Sequence, residues 1–234
     1  MGALEIASRQ PAARRGTAAR PDLRHEAALW AAGWSRVAGV DEVGRGALAG
    51  PLVAAAVVLP MREPRRRAGL TRVLSGVRDS KCLTPEQREH LFEPIVNLAC
   101  AVGIGRVEVD ELDAVGLGAA NRMAMERAVF ALGLDADALL LDACVLDLGL
   151  PQIGLIDGDA RVLSIAAASI VAKVTRDRLM RDLDAVDERY GFARHKGYGS
   201  AVHLERLARY GPCRHHRRCF APVAACAAER RDDA

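Results

Sequence analysis

Acidic side chains lie within or directly after three apolar stretches of this sequence, where carboxylates are uncommon. The four candidates for chemistry are Asp41, Glu42, Asp142 and Asp159. A carboxylate is costly to bury unless a partner offsets its lost hydration, and Mg²⁺ and Mn²⁺ prefer such hard oxygen ligands and retain waters that can become nucleophiles. We therefore interpret the four as a cluster that binds divalent metal ions. The alternative is a set of strand-end carboxylates that cap loops and helices.

The segment Gly44-Arg45-Gly46 directly follows the first two carboxylates. Glycines allow the backbone to approach a ligand closely, and arginine can bind a phosphate with two parallel hydrogen bonds. The same three residues also suit a plain hairpin turn. Only their position beside Asp41 and Glu42 favours a role in binding.

Lysine is rare in this chain, which draws nearly all of its positive charge from arginine. The three lysines are Lys81, Lys173 and Lys196, each within a short polar motif. Because an ammonium and a planar guanidinium are not interchangeable, we interpret them as sites that need a point charge; chance placement is the alternative. Helical spacing puts Lys173 on one face with Ser169 and Arg176, a face suited to a phosphate backbone.

A basic segment runs from Arg194 to Arg218, where Glu205 is the only acidic residue among seven Arg or Lys and four His. Tyr198 lies there in a glycine-flanked turn and could stack on a sugar or base; packing of the turn is the alternative role. We interpret the stretch from Cys213 to Cys219 as a basic surface loop. A metal cluster is disfavoured there because the arginines would repel a cation.

The apolar periodicity predicts alternating strands and helices. Strands are predicted over 36–43, 52–59, 101–109, 138–141 and 152–156. Helices are predicted over 23–34, 84–98, 110–132, 164–182, 184–190 and 201–210. We expect the first two strands to pair antiparallel, a helix break near Gly116 and Gly118, a helix cap at Ser164 and a loop over the arginine-rich segment 60–78. This order indicates an α/β fold with a mixed sheet and helices on its faces.

The chain has 234 residues and 50% hydrophobic content, which suits one full-sized domain. We expect a tail over 1–22, a domain over 23–223 and a second tail over 224–234. No apolar run approaches the ~20 residues that a membrane helix needs. The first residues lack a secretory-signal pattern, which leaves an arginine-rich organelle presequence as the alternative to a tail.

Six cysteines at irregular spacing, with no Cys-x-x-Cys pair, indicate reduced thiols and hence a cytoplasmic protein. The net charge of +3 is too small to indicate nucleic-acid binding by itself. Nothing in the sequence requires more than a monomer.

Several short motifs, taken in order, resemble those of the ribonuclease HII family. They are Val40 to Gly46, Asp79-Ser80-Lys81, Leu141-Asp142, Gly158-Asp159-Ala160, Ala166 to Asp177, Tyr190-Gly191-Phe192, His195-Lys196-Gly197-Tyr198, and His216-Arg217-Arg218 with Phe220. Together they cover roughly residues 37–223. The order makes the resemblance specific, since any one of these motifs alone would be weak.

The resemblance implies a ribonuclease-H-like fold, with a mixed five-stranded sheet flanked by helices and a helical C-terminal region over about residues 178–223. It also implies an endonuclease that hydrolyses the RNA strand of RNA-DNA hybrids and cuts at ribonucleotides embedded in duplex DNA. The products would carry 3′-hydroxyl and 5′-phosphate ends.

The resemblance further assigns roles to residues. The matches to the family's catalytic carboxylates, expected to bind two Mg²⁺ or Mn²⁺ ions, are Asp41, Glu42, Asp142 and Asp159. Gly44, Arg45 and Gly46 match the segment that recognises the ribose 2′-hydroxyl, which distinguishes RNA from DNA. Tyr198 matches a tyrosine that stacks on the following deoxyribose. The further substrate-contact candidates in these motifs are Lys81, Ser169, Lys173 and Lys196.

The sequence departs from the family pattern near the proposed metal site. Ala143-Cys144 follow Asp142 where Gly-Asn is usual, Cys82 replaces a second lysine, and Asp157 stands where lysine is common. Asp157 and Asp159 are therefore rival candidates for the fourth ligand. All four carboxylates are present, which predicts an active enzyme.

Two other functions fit parts of the pattern. One is a non-catalytic protein of the same fold that binds RNA-DNA hybrids. The other is a nucleotide-dependent phosphotransferase, which ranks last because the chain has no Gly-x-x-x-x-Gly-Lys-Ser/Thr motif.

Overall fold

The computed structural model describes residues 20–61 and 64–232, so most of the predicted N-terminal tail lies outside the described residues. The strands are β1 (Val37–Val43), β2 (Leu52–Val58), β3 (Ala101–Val107), β4 (Ala138–Asp142) and β5 (Gln152–Leu155). The helices are α1 (Arg24–Ala31), α2 (Pro64–Val73), α3 (Pro85–Leu98), α4 (Val109–Val115), α5 (Leu117–Phe130), α6 (Gly158–Arg161), α7 (Leu163–Val186), α8 (Phe192–His195), α9 (Ala201–Tyr210) and α10 (Ala221–Asp232). This succession confirms the predicted α/β class.

The strands form one mixed five-stranded sheet in the order β3-β2-β1-β4-β5. β2 pairs antiparallel with β1, as predicted, and with β3, whereas β4 runs parallel to both β1 and β5. The carboxyl ends of β1, β4 and β5 therefore share one edge of the sheet. In sheets of this kind, ligands bind outside the carboxyl ends of the parallel strands.

Two helices cover the two faces of the sheet. Alternate residues of β2 point to opposite faces, so Ala55 and Val57 pack with α7 while Ala54 and Ala56 pack with α5. β1 also lies very close to α7, because a Cβ atom on Gly39 would be 2.3 Å from the backbone of Ser164. The strand that carries Asp41 and Glu42 is thus fixed directly against the longest helix.

Two helices occupy segments that we predicted to be a loop and a tail. α2 lies within the predicted loop 60–78, because arginine is a good helix former and the buried Leu70 and Leu74 anchor the segment in the core. α10 covers most of the predicted tail 224–234, and Val223 in its first turn is buried against Leu48. The prediction of a loop was therefore wrong for residues 64–73, and the predicted C-terminal tail is helical as far as Asp232.

Of the other predicted helix boundaries, two were wrong and one is confirmed. Ser164 does not cap α7, because it is buried one residue inside the helix, and α7 continues to Val186, so the separate helix predicted over 184–190 is wrong. Asp22, assigned to the tail, forms a parallel bridge with Val162. The break near Gly116 is confirmed, since it separates α4 from α5.

A membrane-crossing helix needs both length and apolarity, and no helix within 20–61 and 64–232 combines the two.

The close packing of Gly39 yields a first prediction. Gly39→Ala should lower the free energy of unfolding by about 1–3 kcal/mol, because the added methyl group meets backbone atoms that cannot move aside cheaply. Urea denaturation measures the loss. Gly118→Ala is the matched control, because a Cβ atom there meets nothing within 4 Å. Equal stability of the Gly39→Ala protein and the wild type would contradict this close approach of β1 to α7.

Candidate active site

The shared carboxyl edge of the sheet gathers the four candidate carboxylates. Asp41 and Glu42 lie in β1, Asp142 ends β4, and Asp159 lies in α6, which follows β5. Besides burial, the charges of Glu42, Asp142 and Asp159 all raise the pKa of Asp41. Asp41 therefore lies within electrostatic reach of the other three side chains.

Asp41 is at the centre of this group and is only 5% exposed. Its carboxylate accepts a hydrogen bond from the backbone N–H of Glu42 at 2.8 Å. Burial, and then the neighbouring carboxylates, hold its pKa well above the usual range, while a hydrogen bond with the Ser169 hydroxyl opposes the shift. Ser169 also bonds Ser80, with 2.9 Å between the hydroxyl oxygens. Ser169 therefore links Asp41 to Ser80 through its hydroxyl group.

Glu42 has one carboxylate oxygen with a partner and one without. Oε1 accepts from the Arg45 guanidinium at 3.3 Å. Oε2 is buried and has no hydrogen-bond partner among residues 20–61 and 64–232. Burial raises the pKa of Glu42, Arg45 opposes this, and Asp142 adds to it. A buried, unpartnered carboxylate oxygen is an atom that a bound cation would satisfy.

The other two carboxylates accept from protein donors across the edge of the sheet. Asp142 Oδ1 accepts from the backbone N–H of Gly158 at 2.8 Å, and Asp159 Oδ2 accepts from Lys81 Nζ at 3.2 Å. Burial is the largest cause that raises the pKa of each, and the Lys81 ammonium partly offsets it. Asp159 is buried, whereas Asp157 is exposed and lies at the left-handed start of α6. This placement favours Asp159 over Asp157 as a member of the group.

The donor set suits a divalent cation, although the side chains as they stand do not enclose one. Within the described ranges, no three Asp, Glu, His or Cys side chains form a ready ion cage. Each of the four carboxylates instead accepts from a backbone or side-chain donor. Their raised pKa values and the unpartnered oxygen of Glu42 show that this compensation is incomplete.

The segment Gly44-Arg45-Gly46 and Tyr198 lie side by side next to the carboxylates. Ala47 and Tyr198 form an antiparallel bridge. Gly44 has φ +97°, and a Cβ atom on it would be 2.3 Å from Arg176 Nε, so this position requires glycine. A Cβ atom on Gly46 would meet nothing within 4 Å. Gly46 therefore leaves open space beside its backbone.

The predicted face of α7 is only partly available to a ligand. Lys173 Nζ bonds Asp177 at 2.6 Å and lies 5.9 Å from the centre of the Tyr198 ring. Lys196 Nζ donates to the carbonyl of Ala193, and burial lowers the pKa of both lysines. Arg176 is fully buried, and the hydrogen bonds that it donates within the described part of the chain all go to backbone carbonyls. The prediction that Arg176 faces a phosphate backbone was wrong.

Sequence reasoning missed a buried histidine pair behind the Tyr198 turn. His203 Nδ1 donates to the Tyr198 carbonyl at 2.9 Å, and its Nε2 lies 3.1 Å from Nε2 of His216. Because His216 Nδ1 accepts from the N–H of Cys213, His216 donates from Nε2 to His203, and both rings are neutral. His216 and Arg217 are buried, so the predicted surface loop 213–219 was wrong for these two residues.

Comparisons with known proteins agree on one family. The model of the family described as Ribonuclease HII matches residues 38–223. A curated relative, Ribonuclease HII of Roseiflexus castenholzii, is 52% identical over 204 residues, which cover 87% of this chain and 89% of the relative.

Solved structures show the same architecture. The crystal structure of ribonuclease H2 from Pyrococcus horikoshii has a TM-score of 0.70 at 28% identity and covers 84% of this chain and 99% of its own. Bst-RNase HIII in complex with Mn²⁺ has a TM-score of 0.65 and covers 95% of this chain and 78% of its own. At 19% identity, the second likeness shows the fold alone.

The histidine pair predicts a specific sensitivity to acid. Burial lowers the pKa of His203 from 6.5 to about 4 and that of His216 from 6.5 to about 3. The unfolded chain therefore takes up these protons first, and stability that is complete above pH 6.5 is lost as the pH falls toward these lowered values. We expect a loss of about 2–3 kcal/mol per histidine between pH 7 and pH 4.5.

Urea denaturation across this pH range measures the effect. His216→Gln should show a shallower pH dependence than the wild type, and His90→Gln, at an exposed position, should match the wild type. Identical slopes for His216→Gln and the wild type would show that His216 does not titrate in this way.

Proposed function

The chain belongs to the ribonuclease HII family and is a ribonuclease H endonuclease, and we propose that it hydrolyses the RNA strand of RNA-DNA hybrids and cuts at ribonucleotides embedded in duplex DNA. The observation that carries this proposal is the placement of four carboxylates beside a glycine-lined opening and an exposed tyrosine. The carboxylates would bind the metal ions that hydrolysis needs, and the glycine-lined opening and the tyrosine would recognise a ribonucleotide.

We propose that Asp41, Glu42, Asp142 and Asp159 hold two Mg²⁺ or Mn²⁺ ions. When bound, these ions would supply an activated water and stabilise the leaving 3′ oxygen, so that the products carry a 3′-hydroxyl and a 5′-phosphate. The unpartnered oxygen of Glu42 and the raised pKa values of all four groups support this assignment. Positive charge at this edge would relieve the repulsion among them.

The residues around the carboxylates orient the substrate and the ligands. Gly44, Arg45 and Gly46 would recognise the 2′-hydroxyl, a role supported by the open space beside Gly46, which would let a ribose approach the backbone. Tyr198 would stack on the following deoxyribose, a role supported by its 37% exposure. Ser169 orients Asp41 through its hydroxyl.

The lysines have distinct proposed roles. Lys81 is bonded to Asp159 but is 79% exposed, so its ammonium can also contact a phosphate of the bound strand. Lys173 would orient the Tyr198 ring through a cation–π contact. Lys196 would stabilise the turn before Tyr198 through its hydrogen bond to the Ala193 carbonyl. Both lysines would add positive charge beside the bound strand. The exposed fractions of these side chains make Lys81 the strongest candidate for a direct phosphate contact.

We further propose that the enzyme acts as a monomer in the cytoplasm. All six cysteines are free in the structure, which agrees with a reducing compartment.

A hybrid-binding protein without catalysis is the alternative. Incubation with Mn²⁺ and a DNA duplex that carries one ribonucleotide separates the two functions. The nuclease cuts the strand beside the ribonucleotide, whereas a binding protein retains the duplex and leaves the strand intact. The intact strand would refute the proposed function.

Asp142 tests the carboxylate assignment. Asp142→Asn should lower the cleavage rate by at least about 10³-fold, because it removes a charge needed to hold the ions, while affinity for a hybrid stays within about twofold. It should also reduce the rise in Tm that Mn²⁺ causes. The matched control is Asp147→Asn, in the exposed connection after β4, which should behave as the wild type. Cleavage that survives Asp142→Asn would make the assignment wrong.

Two glycine substitutions separate folding from recognition. Gly46→Ala should leave the free energy of unfolding within about 0.5 kcal/mol of the wild type, because its methyl group enters open space, but it should lower kcat/KM where the ribose would approach. Gly44→Ala should destabilise the protein itself, since it combines φ +97° with a clash against Arg176. Urea denaturation and steady-state kinetics measure the two effects. A Gly46→Ala protein with full kcat/KM would refute the role of this segment.

A further inference from the structure

Two arginines that contact the loop between β1 and β2 are completely buried. Arg176 and Arg217 are both 0% exposed. Among the described residues, neither forms an ion pair with Asp or Glu, and burial lowers the pKa of both, that of Arg217 to about 10. A buried, unpaired charge is expensive. The hydrogen bonds that these two side chains form must offset that expense.

Arg217 joins the two ends of the connection between β1 and β2. Its Nη1 donates to the carbonyls of Gly44 at 2.7 Å and Arg45 at 3.1 Å, and its Nε donates to the carbonyl of Gly50 at 3.0 Å. Its backbone N–H donates to the carbonyl of Leu48 at 2.8 Å. One residue from the C-terminal region therefore fixes the path of the loop that contains Gly44-Arg45-Gly46.

Arg176 joins the same loop to the turn that carries Tyr198. Nε donates to the carbonyl of Pro51 at 2.9 Å and Nη2 to that of Ala49 at 3.0 Å, while Nη1 donates to the carbonyl of Lys196 at 2.8 Å. The Tyr198 ring lies 5.5 Å from the centre of this guanidinium. A single planar group thus contacts both of the elements that we assigned to recognition.

From these contacts we propose that Arg176 and Arg217 are positioning residues that fix the spacing between the Gly44–Gly46 segment and Tyr198. A ribonucleotide followed by a deoxyribonucleotide places a 2′-hydroxyl one sugar away from a bare deoxyribose. Two recognition elements held at a fixed separation select that pair of sugars. The inference rests on the proposed function, because it takes these two elements as the recognition surface.

The chemistry of the side chain explains why arginine occupies both positions. A guanidinium presents several N–H donors in one rigid plane, whereas an ammonium is a compact point charge on a flexible stem. Lysine could keep the charge, but it could not hold three carbonyls from two segments in a fixed arrangement. Substitution by lysine therefore separates the loss of geometry from the loss of charge.

The test compares two substrates in each variant. For Arg176→Lys and Arg217→Lys, we measure kcat/KM on a DNA duplex with a single ribonucleotide and on a continuous RNA-DNA hybrid. The ratio of the first value to the second should fall about tenfold relative to the wild type, because a continuous hybrid offers no deoxyribose for Tyr198. The rise in Tm caused by Mn²⁺ should remain, since the carboxylates are unchanged.

The control is Arg127→Lys. Arg127 likewise bonds a carbonyl, that of Arg106, together with the Glu111 carboxylate, but it lies on α5, away from the loop. Its loss should lower stability and leave the substrate ratio as in the wild type. If Arg176→Lys and Arg217→Lys also keep the ratio within about threefold of the wild type, the inference is overturned.

If a lysine variant fails to fold, the methionine variant at the same position replaces it, because methionine has no charge to bury. The ratio of the two kcat/KM values is then compared with that of the wild type in the same way. Both substrates are first cut with the wild-type protein. A wild type that cuts neither substrate refutes the proposed function, whereas an active wild type with unchanged ratios in the variants refutes the positioning role alone.

Discussion

Repulsion among carboxylates at one edge of the sheet is the constraint on which the rest of the site depends. The parallel pairing of β1, β4 and β5 brings Asp41, Glu42, Asp142 and Asp159 together. The fold tolerates the group because a backbone N–H or a basic side chain compensates each member, and because α5 and α7 hold the sheet rigid from both sides. A cluster that opposes folding in this way is typical of a functional site.

The buried positive charges near the carboxylates are compensated in a different way. Arg176 and Arg217 are buried among carbonyl oxygens, which accept the hydrogen bonds that both guanidinium groups donate. A carboxylate placed there could pull the guanidinium away from the loop. Carbonyl partners instead tie each arginine to the backbone that it holds. The site therefore combines an under-compensated acidic edge with two buried arginines whose hydrogen bonds, among the described residues, are to main-chain carbonyls.

Apolar runs made the strands predictable from the sequence, and the residue types and motif order made the carboxylates predictable. α2 could not be predicted, because Leu70 and Leu74 are too few apolar residues in an arginine-rich segment to show a helical period. The roles of Arg176, Arg217 and His216 were also beyond reach. Periodicity indicates which face a residue lies on, but the burial of a charged side chain depends on carbonyls from distant segments. Only the three-dimensional structure brings those carbonyls together.

The long helix α7 carries Ser169 beneath Asp41, Lys173 beside Tyr198, and Arg176 under the loop, all within about two turns. Each residue added to a helix advances it by about 1.5 Å and turns it by about 100°. One insertion or deletion between these residues would turn at least one of the three side chains by about 100° away from its contact. We expect a change of chain length to be tolerated better in an exposed connection such as 143–151, where Val145 is 62% exposed.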